Sequence, residues 1–187
     1  MCGIIGIQNN SEAATLAYMG LYAQQHRGQE GAGVVSSDGT VLHRHMGQGL
    51  VADVFSDSAV FDSLIGDSAI GHVRYSTTGN SDPKNVGPLT FNMGDYSLSI
   101  AHNGNLVNLD EIRKELQENG ALFQTSTDTE IIIHLLARAI GATLADKLEK
   151  VLQKIEGAYS LILLSPSEII AARDPHGIRP FCMGKLQ

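Results

Sequence analysis

The apolar segment directly behind the N-terminus is the feature that most constrains how this chain folds. Residues Gly3 to Ile7 read Gly-Ile-Ile-Gly-Ile, and this β-branched run predicts a buried strand that begins at the second residue. A strand that starts so early leaves no free tail in front of it. The sequence therefore predicts that the N-terminus is held inside the fold.

The spacing of apolar residues in the rest of the chain groups the strands apart from most of the helices. A helix is predicted from Ser11 to Gln25, and three more are predicted between residues 108 and 155. Six further strands are predicted at residues 33–35, 41–45, 69–75, 96–101, 158–164 and 168–172. This grouping favours antiparallel sheets with helices packed outside them over an alternating parallel β-α-β sheet. No internal repeat or linker is visible, so one domain is expected.

Short polar motifs predict where elements begin and end. Asn108 with Glu111, and Thr127 with Glu130, have the spacing of capping boxes, and each predicts the first turn of a helix. The pair Asn119-Gly120 predicts the end of the helix that starts near Asn108. The run His102-Asn103-Gly104-Asn105 predicts a turn at the end of the strand before it.

Charge and hydropathy exclude several classes of partner. The 187 residues carry a net charge of −7 without a cluster of Lys and Arg, so neither nucleic acid nor a membrane surface is an expected partner. No apolar run reaches the length of a membrane span, and the first residues do not resemble a signal peptide. We therefore expect a soluble, cytoplasmic protein that acts on a small molecule.

The two cysteines, Cys2 and Cys182, stand at opposite ends of the chain and lack the spacing of a zinc site. Neither a disulfide nor a metal site is predicted, and Cys182, between Phe181 and Met183, is predicted to pack in the core. Cys2 allows two interpretations. It is either a small apolar residue of the first strand, the more common case for a lone N-terminal cysteine, or a nucleophile.

The nucleophile interpretation has a chemical basis in the position of Cys2. A cysteine reacts as its thiolate, and an ordinary thiol with a pKa near ~8.5 is mostly protonated at neutral pH. Removal of Met1 frees an α-amino group with a pKa of roughly 7.7 to 8.0 beside the sulfur of the same residue. The nucleophile and its general base then belong to one residue.

Several blocks of the sequence, from Met1-Cys2-Gly3-Ile4-Ile5-Gly6-Ile7 onward, carry a resemblance to a known family. The further blocks are His26-Arg27-Gly28-Gln29-Glu30, Gly71-His72-Val73-Arg74-Tyr75-Ser76-Thr77, Ala101-His102-Asn103-Gly104-Asn105-Leu106, Thr127-Asp128-Thr129-Glu130 and Arg173-Asp174-Pro175-His176-Gly177-Ile178-Arg179-Pro180. Together they resemble the class II glutamine amidotransferases, whose nucleophile is the N-terminal residue. Gln29-Glu30 after Arg27-Gly28 is similar to the amidophosphoribosyltransferases rather than to the hexosamine-forming and asparagine-forming relatives.

The resemblance implies that glutamine is hydrolysed to glutamate and ammonia through a γ-glutamyl thioester on Cys2. It also implies that Asn103 and Gly104 form an oxyanion hole, although the same pair taken alone predicts an ordinary hairpin turn. His26, His72 and His102 suggest a Cys–His pair, but an N-terminal amine makes such a base unnecessary.

The resemblance also assigns residues that bind the amino-acid end of glutamine. Arg74 and Thr77 are expected to bind its α-carboxylate, and Asp128 its α-ammonium group. Arg27 is expected to lie near the site and to support it or cover the thiol. Taken alone, Asp128 is explained as an acidic residue in the first helical turn, and Arg27 as a surface turn residue. Residues 76–88 resemble a loop that closes over bound glutamine.

The implied fold is an α+β, four-layer αββα sandwich of two antiparallel sheets, the N-terminal nucleophile hydrolase type. The resemblance also implies a C-terminal phosphoribosyltransferase domain, absent from these residues, that uses the ammonia to make phosphoribosylamine, and a homo-oligomer at full length. No cofactor is expected in residues 1–187; magnesium and an iron–sulfur cluster would belong to the missing part. The alternatives are a stand-alone hydrolase of another amide and a catalytically silent binding domain.

Overall fold

In the part of the chain that the structure describes, eight strands form two four-stranded antiparallel sheets. This computed structural model describes residues 1–75 and 82–185. The strands are β1 (Gly3–Ile7), β2 (Gly31–Ser37), β3 (Leu42–Gln48), β4 (Ser68–Arg74), β5 (Leu89–Asn92), β6 (Ser97–Leu106), β7 (Gly157–Leu164) and β8 (Ile169–Arg173). The first sheet has the order β1-β4-β2-β3, and the second has the order β5-β6-β7-β8.

Helices cover the outer face of each sheet. They are α1 (Ala13–Ala23), α2 (Val51–Val54), α3 (Val60–Ser63), α4 (Leu109–Glu118), α5 (Asp128–Arg138) and α6 (Leu144–Leu152). One apolar cluster joins α1 to the first sheet, and a second joins α5 and α6 to the second sheet. The predicted four-layer αββα sandwich is therefore confirmed. None of the helices in the described part of the chain combines the length and hydropathy needed to cross a lipid bilayer.

The two sheets pack against each other through a core of their own. Val35 and Ile70 from the first sheet meet Ala101, Ile162 and Leu164 from the second, and all five side chains are buried. Successive side chains of a strand point to opposite faces. His72 and Arg74, two and four positions after Ile70 in β4, therefore also face the second sheet. His102, the residue after Ala101 in β6, faces the helical layer.

The first strand lies at a sheet edge, which differs from the prediction of a fully buried strand. Within the described residues β1 pairs with β4 alone, from Gly3 opposite Val73 onward, and most of its side chains are half-buried. Ile4 contacts the core between the sheets, whereas Ile5 packs toward α1. The strand still holds the N-terminus in the fold, because its pairing begins at the third residue.

The turn predicted at residues 102–105 is wrong. Strand β6 continues to Leu106, and it stays paired with β7 until Leu106 stands opposite Gly157. The glycine at position 104 is required by close packing rather than by a turn. A Cβ atom there would lie 2.7 Å from the Cα of Tyr159 and 2.8 Å from Nε2 of His102. Glycine inside a strand commonly marks such a close approach.

Both predicted capping boxes are wrong, although the two helices that they were expected to start are present. The side chain of Asn108 donates to the carbonyl of Lys154 at 2.9 Å and accepts from the N–H of Glu156 at 3.0 Å, so it ties α4 to the segment before β7. The predicted end of α4 is confirmed, since the helix stops at Glu118 and Gly120 has a positive φ of 79°.

The second box fails because the carboxylate of Glu130 turns to the loop before α5. It accepts hydrogen bonds from the backbone N–H groups of Gln124 and Thr125 at 2.8 and 2.7 Å. A reciprocal capping box does form at α6, between Thr143 and Asp146, where none was predicted.

Short elements and one cysteine also depart from the predictions. Helices α2 and α3 and strand β5 lie in segments that had been left without structure, since four-residue elements carry too few residues for a periodic pattern. Cys182 is exposed, so its prediction as a core residue is wrong. Its neighbour Phe181 packs instead against the core between the sheets.

Candidate active site

A pocket opens where the two sheets and the start of α5 meet. Its lining comes from both sheets, from the segment before β5 and from α5, and consists of Cys2, His72, Arg74, Tyr75, Asn85, Gly87, Leu89, Ile100, His102, Gly104, Thr127, Asp128 and Thr129. Four of the residues predicted for the site line it, namely Cys2, Arg74, Gly104 and Asp128. The fold therefore gathers groups that are up to 126 residues apart in the sequence.

Cys2 is half-buried directly before β1. Its Sγ lies 3.6 Å from the backbone carbonyl oxygen of Tyr75, and its own carbonyl oxygen accepts a hydrogen bond of 3.0 Å from Nε of Arg27. Arg27 thus holds the backbone of the predicted nucleophile, and it is not among the residues that line the pocket. This contact agrees with the prediction that Arg27 lies near the site.

The environment of Cys2 favours the thiolate. Burial, the largest single effect, raises the pKa of the thiol, but the His72 imidazole and the Tyr75 backbone act in the opposite direction. The charge of His102 adds to their effect, and the resulting pKa is about 7, below the ordinary value of 9.0. A substantial fraction of Cys2 is therefore ionised at neutral pH, which is the form that attacks carbonyl carbon.

His72 lines the pocket, although it was not among the predicted site residues. It lies in β4 on the face toward the second sheet, is buried, and has its Nε2 at 3.2 Å from the carbonyl oxygen of His102. A carbonyl oxygen only accepts, so Nε2 donates this hydrogen bond. Nδ1 has no hydrogen-bond partner among the described residues. His26, by contrast, is exposed and lies outside the pocket lining.

Arg74 supplies a buried cation two residues further along β4. One nitrogen, Nη1, donates to the backbone carbonyl of Asn85 at 3.1 Å, and Nε lies 3.8 Å from the carboxylate of Glu30. Within the described residues Nη2 has no hydrogen-bond partner. A guanidinium with an unused donor inside a pocket is well suited to bind a carboxylate. Thr77, the predicted second contact, lies outside the described residues, as do residues 76–81 of the predicted closing loop.

Asp128, the first residue of α5, supplies an anion on the opposite side of the pocket. Its Oδ1 lies 3.2 Å from Nδ1 of His102, and its Oδ2 has no partner in the described part of the chain. Burial, the largest single effect, raises the pKa of Asp128. The charge and hydrogen bond of His102 and the N–H groups of Leu106 and Thr129 lower the pKa by more in total, so it lies below the ordinary value. The carboxylate is therefore ionised, with one oxygen available for a cation.

The backbone of β6 aims the Gly104 N–H at the pocket. The carbonyl of His102 and the N–H of Leu106 both bond to pocket side chains, whereas the N–H of Val107 donates to the carbonyl of Glu156 on the β7 side. Backbone groups alternate between the two edges of an antiparallel strand. The N–H of Gly104 therefore points away from β7, toward the pocket that this residue lines.

Asn103 is placed beside the pocket rather than in its lining. Its side chain shares the inner face of β6 with Ala101 and is buried, and its Oδ1 has no hydrogen-bond partner among the described residues. Asn85, which lines the pocket and is 2% exposed, was predicted only as part of the closing loop and not as a site residue. No local signal pointed to it, because its contacts come from distant segments.

Comparisons with known proteins agree with this arrangement. Residues 72–187 match the family model described as a glutamine amidotransferase domain. Over 185 residues the chain is 48% identical to the chloroplastic amidophosphoribosyltransferase 2 of Arabidopsis thaliana, with 98% of this chain and 33% of that protein covered. It is 42% identical over 183 residues to the amidophosphoribosyltransferase of Lacticaseibacillus casei, with 98% and 94% covered.

A solved structure extends the likeness to three dimensions. The glutamine phosphoribosylpyrophosphate amidotransferase from B. subtilis, complexed with ADP and GMP, superimposes with a TM-score of 0.89 at 43% identity. The match covers 96% of this chain and 38% of that one. The chain thus spans about a third of the length of the Arabidopsis protein and 38% of the solved chain.

Proposed function

Because this chain belongs to the glutamine amidotransferase domain family, within the amidophosphoribosyltransferases, we propose that it hydrolyses glutamine to glutamate and ammonia with Cys2 as the nucleophile. One observation carries the proposal. A thiol with a pKa of about 7 shares a pocket with the buried Arg74 guanidinium and the largely buried Asp128 carboxylate, and Arg74 Nη2 and Asp128 Oδ2 have no hydrogen-bond partner among the described residues. These two charges complement the α-carboxylate and α-ammonium groups of an amino acid.

The reaction begins with removal of Met1, which gives Cys2 a free α-amino group. That amine accepts the proton of the thiol, and the sulfur attacks the carboxamide carbon of glutamine. The tetrahedral intermediate collapses when the amine passes the proton to the departing nitrogen, which leaves as ammonia. Water, activated by the same amine, then attacks the γ-glutamyl thioester, releases glutamate and restores the thiol.

The surroundings of the N-terminus favour a neutral amine. In the chain with Met1 retained, burial lowers the pKa of the N-terminal amine, the Cys2 charge opposes this, and Arg27 and Arg179 lower it further, so the net pKa falls below 8.0. A lowered pKa keeps an amine neutral, and only a neutral amine accepts a proton. We propose that the α-amine of processed Cys2 occupies the same surroundings.

Stabilisation of the intermediate is assigned to two donors. The N–H of Gly104 points into the pocket, and the side-chain amide of Asn103 is proposed as the second donor. Loss of one such donor typically lowers the rate by roughly 10² to 10³. For the amino-acid end of the substrate, we propose that Arg74 and Thr77 bind the α-carboxylate and that Asp128 binds the α-ammonium group. Arg27 positions Cys2 through its carbonyl.

The names of the relatives point to a use for the ammonia. By their names, the Arabidopsis and Lacticaseibacillus proteins are amidophosphoribosyltransferases. We propose that residues 1–187 form the glutaminase domain of such an enzyme, and that a phosphoribosyltransferase domain uses the ammonia to convert phosphoribosyl pyrophosphate to 5-phosphoribosylamine, the first step of purine synthesis. The glutaminase reaction as written uses no cofactor. A homo-oligomeric, cytoplasmic full-length enzyme is part of the same proposal.

The intact mass of the chain before and after incubation with a diazoketone analogue of glutamine tests the nucleophile. We expect a starting mass that lacks Met1 and a single adduct, which disappears in Cys2→Ala and persists in Cys182→Ala. The Cys182 variant is the matched control, because its thiol is exposed and lies outside the pocket lining. Retained Met1 without an adduct would instead favour a silent binding domain.

Competition among amides tests the substrate. We expect glutamine to protect Cys2 from the diazoketone at lower concentration than asparagine or a simple amide does, because Arg74 and Asp128 hold the α-carbon at a fixed distance from the sulfur. Equal protection by a different amide would identify a hydrolase with another substrate.

A further inference from the structure

Resting on the proposed function, we propose that Asn85 is a positioning residue that holds the two amino-acid-binding groups, Arg74 and Asp128, in one fixed arrangement. Asn85 ends a 3₁₀ turn, Pro83–Asn85, in the described part of the predicted closing loop, shortly before β5. It is polar yet only 2% exposed, so its burial needs compensating hydrogen bonds. Those bonds lead to both sides of the pocket.

The first connection is to the cation. The backbone carbonyl of Asn85 accepts a hydrogen bond of 3.1 Å from Nη1 of Arg74. The turn that presents this carbonyl is closed by Asp82, whose side chain accepts from the N–H of Lys84 and whose carbonyl accepts from the N–H of Asn85. Arg74 is therefore oriented by backbone from the neighbouring segment, and this leaves Nη2 for the ligand.

The second connection is to the loop that leads into α5. The side-chain amide of Asn85 donates to Oγ of Ser126 at 3.1 Å, and its Oδ1 accepts from the N–H of the same serine at 3.3 Å. Ser126 stands two residues before Asp128, and the preceding loop is fixed by the carboxylate of Glu130. The reciprocal pair thus attaches the Asn85 turn to the start of the helix that carries the anion.

The substrate explains why such a link matters. The α-carboxylate and α-ammonium groups of glutamine are bonded to one carbon, so the groups that bind them must keep a fixed separation. Binding constellations generally tolerate errors of only about 0.5 Å. Arg74 lies in the first sheet, and Asp128 lies in a helix that packs over the second sheet. Asn85 hydrogen-bonds to Arg74 and to the loop before Asp128.

Two thiol reagents separate positioning from general stability. The diazoketone analogue carries the α-carboxylate and α-ammonium groups, whereas iodoacetamide carries neither and reports only on the exposure and ionisation of Cys2. In the chain that begins at Cys2, we expect Asn85→Ala to lower the second-order rate of Cys2 modification by the diazoketone by roughly 10-fold to 100-fold, the effect of losing one or two buried hydrogen bonds. We expect the iodoacetamide rate to stay within about two-fold.

Two further variants control the result. Asn92→Ala removes an exposed β5 asparagine that accepts a hydrogen bond from the hydroxyl of Ser97, and we expect both rates to be unchanged. Ser126→Ala removes the hydroxyl partner of Asn85 at an exposed position, so the fold is retained, and we expect a smaller decrease in the diazoketone rate alone.

The outcomes are distinct. An unchanged diazoketone rate in both Asn85→Ala and Ser126→Ala would overturn the positioning role, and so would an equal decrease with both reagents. Failure of the diazoketone to modify wild-type Cys2, while iodoacetamide modifies it, would overturn the proposed function and this inference with it. A decrease confined to the diazoketone supports the inference.

Discussion

The starts of α5 and α6 have nearly the same sequence pattern and different structures. Each begins with threonine and has an acidic residue three positions later, Thr127 with Glu130 and Thr143 with Asp146. At α6 the two side chains cap the helix reciprocally, with N–H···O distances of 3.0 and 3.1 Å. At α5 the threonine side chain makes no cap, and the carboxylate holds the preceding loop.

The difference shows how a binding site uses a helix start. At α6 the capping groups satisfy each other, and the result is local stability. At α5 the capping groups are committed to the loop, and Asp128 keeps an oxygen without a partner among the described residues. The start of α5 is therefore open to a ligand in a way that the start of α6 is not.

The largest effect that would sharpen this contrast is expected at Glu130. Its carboxylate is 1% exposed and accepts three hydrogen bonds from Gln124 and Thr125. In Glu130→Gln an amide NH2 group replaces an accepting oxygen and faces an N–H or O–H donor, so a hydrogen bond is lost. We expect the free energy of unfolding to fall by about 3 kcal/mol. Urea denaturation measures it, with the α6 variant Glu149→Gln as the control. A loss below about 1 kcal/mol would mean that the loop is held by other contacts.

The next largest effect is expected at Asp128 and concerns the binding of glutamine. Asp128→Asn keeps the shape of the side chain and removes the charge proposed to bind the α-ammonium group. We expect kcat/KM for glutamine hydrolysis to fall by roughly 10-fold to 100-fold, the cost of one charged hydrogen bond. Steady-state ammonia release measures it. An unchanged kcat/KM would show that the free oxygen of Asp128 does not serve the substrate.

A smaller effect is expected at the box that does form. Thr143→Ala removes a cap acceptor, and caps of this kind contribute about 1 kcal/mol to stability. We expect the free energy of unfolding to fall by that amount, while the rate of Cys2 modification stays unchanged because α6 contributes nothing to the pocket lining. A change in the modification rate would break the separation between the two helix starts.

The smallest effect is a pH dependence at the same box. The side chain and backbone of Thr143 hold the pKa of Asp146 below its ordinary value of 3.8. A group whose pKa is lowered by folding stabilises the protein above its unfolded pKa, near 3.9, and this contribution is lost as pH falls through the folded pKa. Urea denaturation should therefore show a stability difference between wild type and Asp146→Asn at pH 6 that shrinks at pH 3. A constant difference would contradict the assignment.

Much of the fold was predictable because it depends on local apolar spacing. The strands and long helices, and the end of α4 at Gly120, follow patterns that neighbouring residues complete among themselves. The capping residues were mispredicted because Asn108 and Glu130 found partners that the chain brings from other segments. Sequence shows that such side chains are able to cap a helix, and it does not show which acceptor or donor competes for them.

The pocket likewise contains residues that were predicted and one that was missed. Cys2, Arg74, Gly104 and Asp128 were predicted through the family resemblance, and the structure brings them to one pocket. Their roles remain predictions. Asn85 was missed because its bonds are to residues 11 and 41 positions away, and a lone asparagine near a proline predicts only a turn.

The edge position of β1 bears on whether the proposed removal of Met1 comes before or after folding. Pairing with β4 starts at Gly3, and Met1 lies outside it with half of its surface exposed. Under the proposed function, removal of Met1 therefore needs no strand to leave the sheet, so this step can follow folding.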